Sequence, residues 1–223
     1  MDKSTRTPTG ARIPKRHFLF QTQIYEFQLP KRDIPPLNAA LIHFIREKHH
    51  QDQKGIQRSN FKALGGWHSN NDLHKDSDIS GFCDLIHRNA TQIGDDNGYH
   101  SGWPLTITAM WSIVNPPGST NRSHIHPGCL WSGVYYVHAP KDTGDIEFTD
   151  PRTANLMLKP KYADRSERPI HTLSNHRFSP RAGRMLIFPS WLYHSVAPNL
   201  SKELGAAGER IVISFNLSQR KAI

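Results

Sequence analysis

The sequence predicts a mainly β (α+β) fold, a sandwich or barrel of short strands with helices packed on one side. Two observations carry that prediction. From Trp103 onward, short apolar and β-branched runs recur between Gly/Pro turns, and residues 130–138 alternate faces with period two. Before that point, residues 37–48 and 79–93 carry apolar side chains at helical spacing. No internal repeat is visible in either half.

Residues 1–16 are rich in Thr, Pro, Arg and Gly and predict a flexible basic arm. Residues 17–223 are expected to form a single domain, with 17–102 a helical and loop buttress and 103–223 the β core. The mixture of aromatic and β-branched residues at 17–29 predicts one or two strands. Pro35-Pro36 opens a helix over 37–48, with Leu37, Leu41, Ile42, Phe44 and Ile45 on its apolar face. Residues 51–78 are polar, contain Gly65-Gly66 and read as loop. A second helix over 79–93 places Phe82, Leu85, Ile86 and Ile93 on one side.

Strands are then expected at 105–114, ended by Asn115-Pro116-Pro117-Gly118, at 130–138, and at 145–148 after the turn Lys141-Asp142-Thr143-Gly144. In 130–138, Ser132, Val134, Tyr136 and His138 share one face; Trp131, Gly133, Tyr135 and Val137 share the other. Residues 151–176 read as an irregular basic connection. Phe178 and the runs 185–188, 194–197 and 210–217 complete the series.

Composition excludes several classes. The 223 residues hold no run of eighteen apolar side chains, so no transmembrane helix is expected, and the N-terminus lacks the apolar core of a secretory signal. Cys83 and Cys129 are too few for a disulfide framework or a cysteine zinc site, and read as thiols in a reducing, cytoplasmic compartment. The formal charge of +9 admits acidic partners, but no stacking motif or zinc finger supports nucleic acid. Neither cysteine has a histidine partner, and no phosphate-binding glycine loop occurs. Fourteen histidines are far more than such a chain ordinarily holds, which makes a metal site worth seeking.

Three segments could carry chemistry. In His124-Ile125-His126, an extended strand would turn both imidazoles to one face, and imidazole is the common ligand for iron, zinc, nickel and copper. His194 follows an apolar run and a turn, which by itself reads equally as a satisfied histidine at a strand edge. Arg210 opens the apolar run 210–216 and shares a face with Val212 and Ser214, opposite Ile211, Ile213 and Phe215. An arginine inside a small barrel is costly unless it meets a carboxylate, and its planar fork suits one supplied by a ligand.

Five motifs stand in order: G-x-x-N-x-x-H-x-H-P-G at 118–128, S-G-V-Y-Y-V at 132–137, G-D-I-E-F at 144–148, G-R-M-L-I-F-P-S-W-x-x-H-x-V at 183–196 and R-I-V-I-S-F-N at 210–216. This order resembles the iron(II)/2-oxoglutarate-dependent oxygenases, and within them a bacterial and phage branch similar to prolyl hydroxylases. The resemblance covers residues 111–217, and Gly66-Trp67-His68-Ser69 also resembles that branch.

The resemblance implies a double-stranded β-helix, the jelly roll that cupins share, with Fe(II) as cofactor and 2-oxoglutarate as cosubstrate in a hydroxylation. Where the family's first motif is His-x-Asp/Glu, this chain has His124-x-His126, so the implied metal ligands are His124, His126 and His194. A two-histidine site led by His126, with Gly128 in the carboxylate place, is the second reading, and completion by Asp150 the third. Arg210 would pair with the distal carboxylate of 2-oxoglutarate; Tyr136 and Asn121 match cosubstrate contacts, and Ser214 shares the face of Arg210. No catalytic side chain beyond the metal ligands is expected.

Trp67 and His68 could line the substrate mouth or anchor a buried loop. Arg152 could grip an acidic substrate or 2-oxoglutarate, or pair on the surface with Asp145 or Glu147. Residues 65–78 and 154–177 are expected to frame the mouth. The expected partner is a small-molecule or peptide substrate, acidic by the charge balance, with no membrane and with a homodimer compatible with the sequence. Two other functions fit the same residues: a cupin-like three-histidine dioxygenase or isomerase without 2-oxoglutarate, and a non-enzymatic jelly-roll binding module.

Overall fold

The computed structural model describes residues 15–60, 64–152, 157, 160–162, 164 and 168–222. Of the predicted basic arm, all but Lys15 and Arg16 lie outside the described residues, as does much of the expected loop at 154–177.

Two antiparallel sheets face one another. The larger runs β1 (Tyr25–Gln28), β8 (Arg184–Pro189), β5 (Trp131–His138), β10 (Arg210–Gln219), β3 (Leu105–Asn115), β2 (Trp67–His68). The smaller runs β4 (Asn121–His124), β9 (His194–Val196), β6 (Ile146–Thr149), β7 (Asn175–Phe178). Neighbours in each sheet are mostly distant in sequence, as β5 between β8 and β10 illustrates. This winding is the expected double-stranded β-helix.

Period-two alternation decides which side chains reach the space between the sheets. On β10, Ile211, Ile213, Phe215 and Leu217 join the outer core under the helices, while Val212 packs between the sheets. On β5, Tyr135 and Val137 turn outward, and Val134 and Tyr136 inward. Gly133 is required at the crossing with β10, because a Cβ there would stand 2.2 Å from the Phe215 ring.

Helix α1 (Ile34–Gln51) starts with prolines in its first turn, where backbone N–H groups lack partners anyway, and carries Lys48, His49 and His50 in its last. It buries Leu41, Phe44 and Ile45 against the larger sheet; α2 (Ser80–Asp96) buries Phe82, Ile86 and Ile93 beside it. Both helices lie where the apolar spacing put them and run a few residues longer. Trp67–His68, inside the predicted loop 51–78, adds to the edge of β3.

A buried polar clamp ties α1 to β5. The Asn38 amide donates to the Val137 carbonyl at 2.6 Å, and the Tyr135 hydroxyl donates to Asn38 Oδ1 at 2.7 Å. Burial pushes the Tyr135 phenol well above its ordinary range, so it remains a donor. Asn38→Leu leaves both groups without partners, and a loss of about 3 kcal/mol in urea unfolding is expected. A change below about 0.5 kcal/mol would show that the clamp contributes nothing.

Candidate metal centre

A cavity of about 590 Å³ opens between the sheets. Pairing of β4 with β9 sets His124 opposite His194, and β6 pairs on the other side with Phe148 opposite His194. The two imidazoles stand 4.3 Å apart, centroid to centroid. His126 joins them by a different route from the one expected. β4 ends at His124, and His126 lies in the following turn, where its N–H donates to the Ser190 carbonyl at 2.9 Å. The His126 and His194 Nε2 atoms are 3.3 Å apart. One ligating atom from each of the three histidines falls within 4.8 Å of the others.

Local backbone fixes two of the rings. His124 Nδ1 donates to the Arg122 carbonyl at 2.6 Å, and His194 Nδ1 donates to the Leu192 carbonyl at 2.9 Å. That tautomer, assigned from the hydrogen bonds, leaves each Nε2 lone pair free for an ion. Burial keeps all three imidazoles neutral, the ligating form: His194 falls to about 3 and His126 to about 4, the neighbouring imidazoles adding to the effect, while His124 lies below its ordinary value. Three imidazole nitrogens form a donor set that fits Fe(II) and other borderline cations.

These shifts carry a sign. Below pH 6.5 the unfolded chain takes up protons at these histidines before the folded one does. The metal-free protein is therefore expected to lose stability as pH falls from about 6.5 toward 3, read as a falling urea midpoint. A midpoint independent of pH across that window would contradict the burial of neutral rings.

Asp150 stays apart. Its carboxylate accepts Nε and Nη2 of Arg152, both at 2.9 Å, and among the described residues no carboxylate belongs to the histidine cluster. Arg152 is thereby held by Asp150, not by Asp145 or Glu147.

At the deep end, Arg210 begins β10 opposite Asn115 of β3 and is only 2% exposed. Its Nη1 donates to the carbonyls of Thr143 and Gly144, in the turn predicted at 141–144. Gly144 has φ +88°, and a Cβ there would stand 2.1 Å from the Ala197 carbonyl oxygen. Among the described residues no carboxylate reaches this guanidinium, and burial lowers it to about 10. Tyr136 lies beside it; burial pushes the phenol up to about 12, against the opposing pull of Arg210. Ser214 lines the same cavity two side chains further along β10.

Asn121 accepts from Asn115 Nδ2 at 2.8 Å and donates to Ser59 Oγ at 3.1 Å. Asn115 Oδ1 is buried without a partner among the described residues, facing a cavity that Asn115 lines. Asn115, expected in the turn Asn115-Pro116-Pro117-Gly118, is the last residue of β3. Counting by twos from Trp111 and Ile113 would have put it on the inward face.

Trp67 and His68 part company on β2. His68 lines the cavity, stacked on Trp111 at 5.7 Å, with Nδ1 donating to the Ser69 carbonyl at 2.6 Å. Trp67 turns the other way, donating to the Asp52 carbonyl at 2.7 Å and stacking on His49. Arg58 and Ser59, which the sequence reading did not single out, also line the cavity.

A profile of the family described as "Putative 2OG-Fe(II) oxygenase" matches residues 109–216, which hold all three histidines, Arg210 and Tyr136. Over these residues the chain is similar to the iron(II)/2-oxoglutarate-dependent oxygenases. No curated protein matches its sequence. Among solved structures, a prolyl-4-hydroxylase from Pseudomonas putida has 16% identity and TM-score 0.59, covering 89% of this chain and 94% of that one. A Trichoplax adhaerens prolyl hydroxylase, in complex with a hypoxia inducible factor peptide fragment, has 14% identity and TM-score 0.55, covering 87% and 83%. HygX from Streptomyces hygroscopicus, with nickel and 2-oxoglutarate bound, has 12% identity and TM-score 0.53, covering 88% and 83%. At these identities the likeness speaks for the fold of the oxygenase. The matched family is one of Fe(II)/2-oxoglutarate-dependent oxygenases. No helix among the described residues is long and apolar enough to cross a membrane.

Proposed function

We propose that His124, His126 and His194 hold the Fe(II), that Arg210 with Tyr136, Asn121 and Ser214 holds 2-oxoglutarate, and that the reaction is hydroxylation. The observation that supports this most is the pairing, in one cavity, of three neutral imidazoles with a buried guanidinium that has no carboxylate among the described residues. Bound together, iron and 2-oxoglutarate supply the oxidative decarboxylation that drives insertion of oxygen into a C–H bond.

The chain's own part is binding, orientation and exclusion of water. The carbonyls of Arg122 and Leu192 orient two ligand rings. Arg210 offers a charge-assisted fork to the distal carboxylate, and Tyr136, kept protonated by burial, offers a hydroxyl donor. Val134, Val212 and Phe188 form apolar walls that keep the reacting centre dry.

Residues 17–223 act as one oxygenase domain in this reading. The substrate is a small molecule or a peptide, the latter by analogy with the peptide on the Trichoplax enzyme. The free thiols of Cys83 and Cys129 favour a reducing, cytoplasmic setting. The test is reconstitution with Fe(II) and exposure to 2-oxoglutarate and dioxygen. Succinate should form in step with 2-oxoglutarate loss, stop on chelation with EDTA, and return when Fe(II) is restored. Succinate no higher than in metal-free protein would overturn the assignment.

A further inference from the structure

The cavity mouth has a wall that local sequence pattern does not announce. Residues 56–60 form a strap that sews the edge of β2 to the edge of β4. The Ile56 N–H donates to the His68 carbonyl at 2.9 Å, the Arg122 N–H donates to the Ser59 carbonyl at 3.0 Å, and Asn60 bridges to Asn121. Asn60 is fully buried; its Nδ2 donates to the Gly66 carbonyl at 3.2 Å, and its Oδ1 accepts the Arg58 N–H at 2.8 Å. The strap is thus pinned at both ends and through its own side chains, while Arg58 is exposed at its centre.

We infer that the substrate is an anion whose carboxylate or phosphate docks on Arg58, beside Arg122, at the mouth of the histidine cavity. An exposed arginine alone says little, since water satisfies it. Three facts make this one informative. The Arg58 side chain makes no hydrogen bond or ion pair among the described residues, while its backbone is fixed. No described Asp or Glu lines the cavity, whereas Arg58, Arg122 and Arg210 all do. Arg58 also stands near enough to the cavity-facing His68 to disfavour its protonation.

The charge balance points the same way, and here the inference rests on the oxygenase reading. The two negative charges of 2-oxoglutarate offset the divalent cation, and the histidines are neutral. Arg58 and Arg210 therefore leave the loaded cavity positive, which draws and orients an anion. Arg210, at the deep end, serves the cosubstrate; Arg58 at the mouth remains for the substrate.

The test uses full-length protein loaded with Ni(II) and 2-oxoglutarate, so that no turnover occurs, and calorimetric titration of two matched pairs: phenyl phosphate against phenol, and phenylacetate against phenylacetamide. At least one anion should bind about tenfold or more tightly than its neutral twin, and should lose about tenfold or more in Arg58→Gln, as for a charge-assisted hydrogen bond. Arg58→Lys should retain most of that affinity. Arg220→Gln, which removes an arginine beyond β10 that does not line the cavity, should match wild type.

The responding pair tells phosphate from carboxylate. Anions that bind no better than their twins, that bind Arg58→Gln as tightly as wild type, or that merely displace 2-oxoglutarate would overturn the inference. Titration of 2-oxoglutarate into each nickel-loaded protein comes first. Its failure to bind wild type is a separate result, which removes the oxygenase reading and the anion inference together.

Discussion

Alanine in place of His194 is expected to abolish stoichiometric iron binding and, with it, succinate formation from 2-oxoglutarate. His194 is the most buried of the three histidines, at 4% exposure, and sits at the centre of the smaller sheet between β4 and β6. With it gone, two neutral imidazoles remain, and among the described residues no carboxylate stands ready to take its place. Loss of a hydrogen bond that merely supports a ligand costs about 10–100-fold in metal affinity, and loss of the ligand itself should cost more. Iron content after reconstitution and succinate release measure the effect, with thermal unfolding showing that the sheet survives. Full turnover in this variant would remove His194 from the metal site.

Arg210→Met should raise the dissociation constant of 2-oxoglutarate by roughly 100-fold, about 3 kcal/mol, the scale on which a buried charged partner acts. Stability separates this from a structural role. The guanidinium is buried with carbonyl partners only, so removing it relieves a desolvated charge while leaving the Thr143 and Gly144 carbonyls without a donor. The two effects oppose, and the free protein should unfold within about 1 kcal/mol of wild type. A variant that loses several kcal/mol of stability but keeps its affinity for 2-oxoglutarate would make Arg210 a structural residue.

Local pattern made much of this site legible. The alternation of β10 and β5 announced which side chains turn inward, and the order of motifs brought His124, His194 and Arg210 into one reading before any contact was known. Elements held by long-range pairing were less visible. β4 has the sequence Asn-Arg-Ser-His, with no apolar period, and it is a strand because β9 pairs with it. His126 reaches its neighbours from a turn anchored on Ser190, which no strand periodicity encodes. The same holds for the strap: its bonds join residues 56–60 to His68 and Arg122, so a polar stretch without hydrophobic rhythm reads as plain loop until its partners are known. Trp67 and His68 occupy a strand of two residues, too short for alternation to tell which one faces the cavity.

The strap also bears on how this molecule can meet other chains. A terminal strand normally offers a row of free backbone donors and acceptors, onto which a stray β-segment can graft. Here the outer sides of β2 and β4 are already bonded by residues 56–60. Among the described residues, the strands that end each sheet without such cover are β1 and β7, on the opposite flank. Grafting there leaves the approach to the histidines open, so self-association through sheet extension and access to the reactive centre need not compete.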